Sequence, residues 1–375
     1  MVTYADMLTL KPLGDPPADR VAAELLDTGP AGDVDALFRT IATADQEVPG
    51  NVPPPPLLRD YLEETRAFPQ WTDPDRLAHI SAFYAKHRKS ADTVLCTTGL
   101  VGSYLSPVGA KTLHSTHRPD QPHRQLAQST GLFLGMGEPD AFTPRSRLIP
   151  ACQKVRLVHA AIRQLHSRSG RWDTARDGMP VSLLHTYSAA LVYSIATLDG
   201  LQQLGVQVSP VEEDGYYYAW RLIGHWLGLP DRPVPLPEGV GEARTLWHEA
   251  RDAGEWAPSE EGVLLTRNCT ELYESYLPPG LKGIVPALLR QTLTDRFADM
   301  VGLPHAAHRR GLQPAGSVEE RLHHHSSTGS DHRRLHHYRD QQLLEALGHV
   351  AKKVGRGPDR PQQGTGPRPT DRLQR

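Results

Sequence analysis

Apolar residues recur along this chain mostly at intervals of three and four positions, and the alternating runs typical of strands are nearly absent. Such intervals place side chains on one face of an α-helix, so the pattern predicts an all-α fold. The predicted helices lie in VDALFRTIATAD, NVPPPPLLRDYLEET, TDPDRLAHISAFYAKHRKSADTVLCTTGLVGSYL, PHRQLAQSTGLFLGM, PVSLLHTYSAALVYSIATLDGLQQLG, SPVEEDGYYYAWRLIGHWLGL, GVGEARTLWHEARDAG and GIVPALLRQTLTDRFADMVGL.

Several helix ends are marked by residues with a physical preference for them. Prolines before Leu57 suit a helix start, because the first backbone N–H groups of a helix have no intrahelical acceptor. Thr72 and Ser209 carry side-chain oxygens that accept from such N–H groups, so each is predicted as an N-cap. Gly205 follows a long apolar segment and is predicted to end its helix.

Composition changes along the chain and divides it into three predicted parts. Residues 305–375 carry nine of the 19 histidines, and 13 Lys and Arg against seven Asp and Glu. After a short amphipathic helix at residues 340–353, this tail has too few apolar side chains to offset the entropy of folding, so it is predicted to be partly disordered. Residues 68–304 form a helical core, and residues 1–67 form an N-terminal helical extension packed on it.

Charge and cysteine content argue against several classes of protein. The net charge of −2 argues against a nucleic-acid partner. Three widely spaced cysteines form neither a disulfide framework nor a zinc site. The sequence contains no run of about 18 apolar residues, so no membrane span is predicted. The N-terminus does not have the pattern of a signal peptide. The expected location is therefore the cytoplasm, without a membrane partner.

The segment KVRLVHAAIRQLH, residues 154–166, combines an apolar helix with a charged edge. His159 lies at the border of the apolar stripe, with Arg156 three residues before it and Arg163 four residues after it, so the three side chains follow one another along one side of the helix. The two alanines after the histidine leave room for a bulky group against the helix. The stripe predicted to be buried consists of Val155, Val158, Ile162 and Leu165.

Two interpretations of this segment are open. A histidine on an apolar edge is most often a core residue with satisfied hydrogen bonds, and arginines beside it are most often solvated. The alternative is a haem site, because neutral imidazole ligates iron and guanidinium groups pair with the haem propionates.

The segment KVRLVHAAIR resembles the core motif of the rubber oxygenase family, whose superfamily includes the oxygenase of mycophenolic acid synthesis. FPQWTDPDRL, GSYLSPVGAKTLHST and the stretch from LLHTYSAALV to GHWLG resemble further family motifs in the same order. The resemblance implies a mostly helical, globin-like core that binds one haem b and activates O2 on its iron. His159 is then the iron ligand, and Arg156 and Arg163 lie near the propionates.

The chain departs from the rubber-cleaving branch of that family at three points. The resemblance implies an arginine, a lysine and a threonine on the helix facing the haem from the other side. By spacing to His159 this chain has Gln125, Gln128 and Ser129 there, and Arg124 and Thr130 lie one residue off. The segment SPVGAKTL lacks the glutamate proposed there as a base, and Lys111 is its only charged residue. The members of that branch are also secreted, whereas the N-terminus of this chain does not have the pattern of a signal peptide. These differences favour a small metabolite over rubber, with Gln128 and Ser129 as candidate hydrogen-bonding groups for bound O2.

The predicted function is a cytoplasmic, haem b-dependent oxygenase that oxidises a small apolar or amphipathic metabolite with O2 and, where the reaction requires it, an electron donor. Arg156 is expected to polarise the ligand site. His225 is either a second residue of the haem pocket or a buried histidine in an aromatic cluster, and His185 is a core or cap residue. Two other classes stay open: a haem carrier or gas sensor without turnover, and a helical protein that binds no haem.

Overall fold

The computed structural model describes residues 2–28, 55–115, 124–277, 282–305, 348 and 350–354, with the backbone alone for residues 124–128. Within these residues all regular secondary structure is helical, which confirms the predicted all-α class, while the globin-like arrangement stays a prediction. None of the described helices has both the length and the apolar character needed to cross a bilayer. The predicted helix VDALFRTIATAD lies outside the described residues.

The helices are numbered in chain order. They are α1 (Tyr4–Leu8), α2 (Pro16–Thr28), α3 (Pro56–Glu64), α4 (Pro74–Val94), α5 (Leu100–Tyr104), α6 (Pro107–Ser115), α7 (Arg124–Gly135), α8 (Leu148–Ser169), α9 (Thr174–Asp177), α10 (Leu183–Leu191), α11 (Thr197–Gln203), α12 (Pro210–Trp226), α13 (Val240–Ala250), α14 (Glu260–Ser275) and α15 (Ile284–Met300). Three π-helical turns, Leu95–Gly99, Val192–Ala196 and Arg251–Glu255, extend α4, α10 and α13.

The helix that carries the Arg-His-Arg motif, α8, lies between two hydrophobic clusters. On one side it packs against α2, and its Gln153 side chain donates to the Leu62 carbonyl of α3. On the other sides it contacts α7 and α12. The larger cluster is built around α4, α10 and α12 and includes the buried rings of Trp220 and Trp226. The smaller cluster consists of Ala18, Val21, Ala22, Leu58, Tyr61, Leu157, Ala160 and Ala161.

The predicted helix ends agree with the structure to within one residue. Ser209 is the N-cap of α12 and forms a capping box, in which its hydroxyl accepts from the Glu212 N–H and the Glu212 carboxylate accepts from the Ser209 N–H. Gly205 follows α11 with a φ of 74°, which glycine adopts without strain. The N-cap of α4 is Asp73 rather than Thr72, because the Asp73 carboxylate accepts from the Asp75 N–H at 2.9 Å.

The tail contributes one segment to the core. Residues 350–354 are helical, and Val350, Ala351 and Val354 are each less than 5% exposed. These three residues belong to the main hydrophobic cluster. The helix predicted at residues 340–353 is therefore present at its end, one residue longer than predicted, and it docks on the body. The other tail residues after His305 lie outside the described part, apart from Gly348.

Candidate functional site

The two sides of α8 differ in a way that the sequence pattern did not predict. Val155, Val158 and Leu165, which the pattern assigns to the buried stripe, are only half-buried, and of that stripe Ile162 alone is buried. The fully packed face is instead the one formed by Cys152, Gln153, Arg156, Leu157, Ala160, Ala161 and Arg163. The prediction of the buried stripe was therefore wrong. The buried face of α8 is the one that carries Arg156 and Arg163, because both arginines pair with aspartates near the N-terminus.

Helix α2 occupies the place beside the two small motif residues. Ala160 and Ala161 are fully buried against Ala18, Val21 and Ala22 of α2. Small side chains on both helices allow their backbones to approach closely, which is a sufficient reason for the alanines in the motif. The bulky group expected against them is thus a helix of the same chain.

Both motif arginines pair with aspartates of the N-terminal segment, residues 9–19. Arg156 is bidentate to Asp15: its Nε donates to Oδ2, and its Nη2 donates to Oδ1 at 2.8 Å. Arg163 donates from Nε to Asp19 Oδ1 at 2.6 Å and from Nη1 to the Val181 carbonyl at 2.7 Å. Each guanidinium therefore already holds a carboxylate in a largely buried place, where such bonds are strong.

The last glycine of the GHWLG segment covers the first of these ion pairs. Gly228 has a φ of 92°, and a Cβ there would lie 2.6 Å from both Arg156 Nε and Asp15 Oδ2. No other residue fits without moving the pair. This glycine therefore has a structural role in closing the N-terminal segment onto α8.

His159 lies on the half-buried side of α8 and is free of hydrogen-bond partners among the residues described. Burial, together with the nearby Arg163 charge, lowers the pKa of His159 to about 4. The imidazole is therefore neutral at pH 7, with one ring nitrogen carrying a lone pair, which is the form that ligates a metal ion. A half-buried ring with such surroundings differs from an ordinary core histidine, whose nitrogens are satisfied.

Helix α6 lies across the end of the same side of α8. His166, two turns after His159, shares a hydrogen bond of 2.9 Å with the Ser115 hydroxyl of α6. Lys111 of α6 donates to Asp177 at 2.5 Å and lies 4.7 Å from the centre of the Trp172 ring. The Lys111 ammonium is therefore already in an ion pair, which has to open before the lysine could bind a metal ion.

Helix α10 contributes a second half-buried stripe to the interior. His185, Ala189 and Tyr193 follow one another at intervals of four residues and are all half-buried. Arg163, one turn after His159, donates to the Val181 carbonyl just before α10, and a proton on His185 would lower the pKa of His159, so the start of α10 lies beside this part of α8. The Tyr193 ring packs at 4.8 Å on Phe133 of α7, and Ser129, one turn before Phe133, is also half-buried. Ser129 is thus placed toward the same interior region, whereas for Gln125 and Gln128 only the backbone is described.

His225 does not join this group. Its ring lies on α12 with its centre 6.3 Å from that of Trp71, in an edge-on aromatic contact, and burial lowers its pKa. Within the described residues it has no contact with His159. Of the two alternatives for His225, this position agrees with a histidine packed in an aromatic cluster. The assignment of His225 to a haem pocket stays a prediction.

The donor set of the site fits a haem in part. A neutral imidazole without a partner, flanked by the apolar side chains of Val155 and Ile162, is what an axial ligand and a porphyrin face require. The arginines are less suitable for the propionates than the motif suggested, because Asp15 and Asp19 already hold them. Within the described residues no cluster of three or more His, Cys, Asp or Glu forms a separate metal site.

Comparisons with known proteins agree with the motif resemblance. A family model described as "ER-bound oxygenase mpaB/B'/Rubber oxygenase, catalytic domain" matches residues 88–318. A rubber oxygenase of Streptomyces sp. (strain K30) is 28% identical over 293 residues, which are 77% of this chain and 70% of that protein. The solved structure of the latex clearing protein LCP in the closed state is similar in fold, with a TM-score of 0.71, 24% identity and coverage of 91% of this chain and 90% of that one.

Proposed function

We propose that this chain, which belongs to the family of mpaB-type and rubber oxygenases, is a haem b-dependent oxygenase that uses O2 to oxidise a small apolar or amphipathic metabolite. The observation that carries the proposal is the state of His159. A neutral, half-buried imidazole without a hydrogen-bond partner among the described residues lies at the position of the family's iron ligand. We propose the cytoplasm as its location.

The roles of the residues follow from their positions. When bound, haem supplies the redox chemistry of O2, and the protein supplies binding, orientation and electrostatics. His159 would hold the iron, and Val155 and Ile162 would pack on the porphyrin and keep water from it. Ser129 and Gln128 on α7 are our candidates for side chains that would donate hydrogen bonds to O2. An electron donor is a partner where the reaction requires one.

The arginines have a different role in this proposal from the one that the motif suggested. Arg156 and Arg163 fasten the N-terminal segment to α8, through Asp15 and Asp19. Binding of propionates, or polarisation of the ligand site by Arg156, requires those ion pairs to be shared or opened. We therefore propose that the arginines act first as structural clamps on the helix that carries the iron ligand.

Three features support a small substrate over a polyisoprene chain. Gln128 replaces the lysine that the resemblance implies over the iron, and α6 has no carboxylate in the segment SPVGAKTL. Lys111, the cation of that segment, is paired with Asp177. A pocket without a capping lysine or a pocket base suits a substrate with a polar handle.

The test is the visible spectrum of the protein expressed with supplemented haem. Wild type should show a Soret band at one haem per chain, and His159→Ala should lose it while the far-UV helicity is kept. His166→Ala is the matched control, because that histidine lies on the same side of α8 but is already bonded to Ser115. A colourless wild type, or a His159→Ala variant with unchanged haem content, would refute the assignment. Haem binding without turnover with any electron donor would favour a carrier or sensor.

A further inference from the structure

The first turn of α10 places a second histidine beside the proposed iron ligand. Arg163, one turn after His159, donates to the Val181 carbonyl at 2.7 Å. Ser182 follows directly and is the N-cap of α10, so His185 is the third residue of that helix. Leu183 is fixed in turn by donating its N–H to the Leu13 carbonyl at 2.8 Å. His185 is therefore held in place by α8 and by the N-terminal segment together.

The hydrogen bonds of Ser182 determine which nitrogen of His185 carries the proton. The Ser182 N–H donates to His185 Nδ1 at 3.2 Å, and the Ser182 hydroxyl lies 3.2 Å from the same atom. Nδ1 is thus an acceptor, and in a neutral ring the proton must be on Nε2. Burial lowers the pKa of His185 to about 4, so the ring is neutral at pH 7. Nε2 has no hydrogen-bond partner among the described residues, which leaves an N–H donor at a half-buried ring.

The charge that acts most directly on this donor is positive. The Lys11 ammonium lies near enough to lower the pKa of His185, and its bond in the described residues is to a carbonyl, that of Arg176, at 3.3 Å. Arg163 acts in the same sense on His159. Asp15 and Asp19 compensate the two motif arginines, whereas no carboxylate lies within 4.0 Å of the Lys11 ammonium in the part of the chain described. The Glu255 carboxylate, which accepts from Tyr4 and Ser188, interacts with Lys11 without a direct bond. An N–H donor beside a cation that has no direct ion-pair partner is suited to a carboxylate oxygen.

We propose that His185, through Nε2–H, binds a carboxylate of the molecule held beside His159, with Lys11 supplying the balancing charge. The carboxylate has two possible sources, a haem propionate or an acidic group on the substrate. The inference rests on the proposed function, since it takes His159 as the iron ligand. His185 is in either case a positioning residue, because its hydrogen bond orients the bound molecule.

Titrations with haemin and with its dimethyl ester distinguish the sources. If the partner is a propionate, His185→Leu should weaken haemin binding about tenfold, as expected for the loss of a hydrogen bond to a charged group, and leave the ester unaffected. If the partner is a substrate carboxylate, haemin binding is unchanged, and the Soret shift caused by octanoate, but not that caused by 1-octanol, is lost in the variant. Equal haemin affinity and equal octanoate response in wild type and variant would overturn the proposal.

Two controls separate this role from helix capping. Ser182→Ala removes the capping hydroxyl but leaves the backbone N–H and the His185 donor, so it should lose stability without the selective loss of haemin binding. His185→Glu keeps a capping acceptor at the usual capping-box position but repels a carboxylate, so it should fold and discriminate against haemin more strongly than His185→Leu. Nitrogen-15 NMR of the histidine rings should show the Nε2–H form for His185, and the Nδ1–H form would contradict the premise. A wild type that takes up no haemin would refute the proposed function itself, whereas haemin uptake with unchanged variants refutes this inference alone.

Discussion

At the scale of single residues, the three polar side chains of the motif have opposite roles despite their shared spacing. Arg156 and Arg163 are buried and paired, whereas His159 is half-buried and has no hydrogen-bond partner in the described residues. The spacing alone predicted that they lie on neighbouring positions of one helix, which is correct. It did not predict their partners, because Asp15 and Asp19 lie more than 130 residues earlier and outside the family match at residues 88–318.

The Asp15–Arg156 pair is predicted to be a major contributor to stability. Asp15→Asn should lower the free energy of unfolding by about 3–5 kcal/mol, because it leaves the Arg156 guanidinium buried without a counter-charge. Urea denaturation measures the change. The control is Asp27→Asn, which removes a pair with Arg168 that is exposed on both sides and should cost at most about 1 kcal/mol. Similar, small losses in both variants would show that the N-terminal segment is not fastened as described.

At the scale of helices, capping residues predicted where the helices begin and end better than apolar periodicity predicted which face of a helix is buried. Ser209 and Gly205 act as predicted, and the start of α4 was misplaced by a single residue, because Thr72 and Asp73 are both able to cap. The buried face of α8 was wrong for a non-local reason. Apolar periodicity finds the side of a helix that is rich in apolar residues. Helix α2 and the residue before it present alanines together with Asp19 and Asp15, so they cover a face of α8 that carries arginines.

The short helical segment at residues 350–354 is predicted to contribute to folding in spite of the polar tail around it. Deleting everything after residue 340 should cost about 2–5 kcal/mol, because it removes the fully buried Val350 and Val354 from the main cluster. Deleting only residues 358–375, which are rich in Pro, Gly, Gln and Arg, should have little effect. Thermal unfolding of the two truncations compares them directly. Equal stability would mean that burial of these valines contributes nothing measurable.

At the scale of the whole molecule, the site combines segments that are distant in sequence. The N-terminal segment holds α8 and the start of α10, α6 closes the end of the half-buried side of α8, and α7 meets α10 through Phe133 and Tyr193. The family match covers residues 88–318 and so includes the helix with His159, and the similar solved structure agrees with the all-α fold. It does not reach the N-terminal segment, so contacts that only the folded chain brings together were missed by sequence reasoning.

The pairing of Lys111 leads to a prediction for the haem-loaded protein. A lysine caps iron only if its ammonium loses a proton and leaves its partner, and here Lys111 is bonded to Asp177 and packed on Trp172. Ligation would therefore cost the ion pair with Asp177. Gln128, in the position where the resemblance implies a capping lysine, has an amide that is a poor ligand for ferric iron. The iron should therefore have water or an open position opposite His159.

Added imidazole should then bind readily to the ferric protein and convert its spectrum to the low-spin form, since no strong internal ligand has to be displaced. Lys111→Ala should leave both the resting spectrum and the imidazole affinity within about twofold, because the lysine is already occupied. His225→Ala should also leave them unchanged, because that ring packs on Trp71 rather than beside His159. A low-spin resting spectrum that does not respond to imidazole, and that either substitution abolishes, would instead assign the opposite position to that side chain and show that the ion pair or the aromatic contact opens when haem binds.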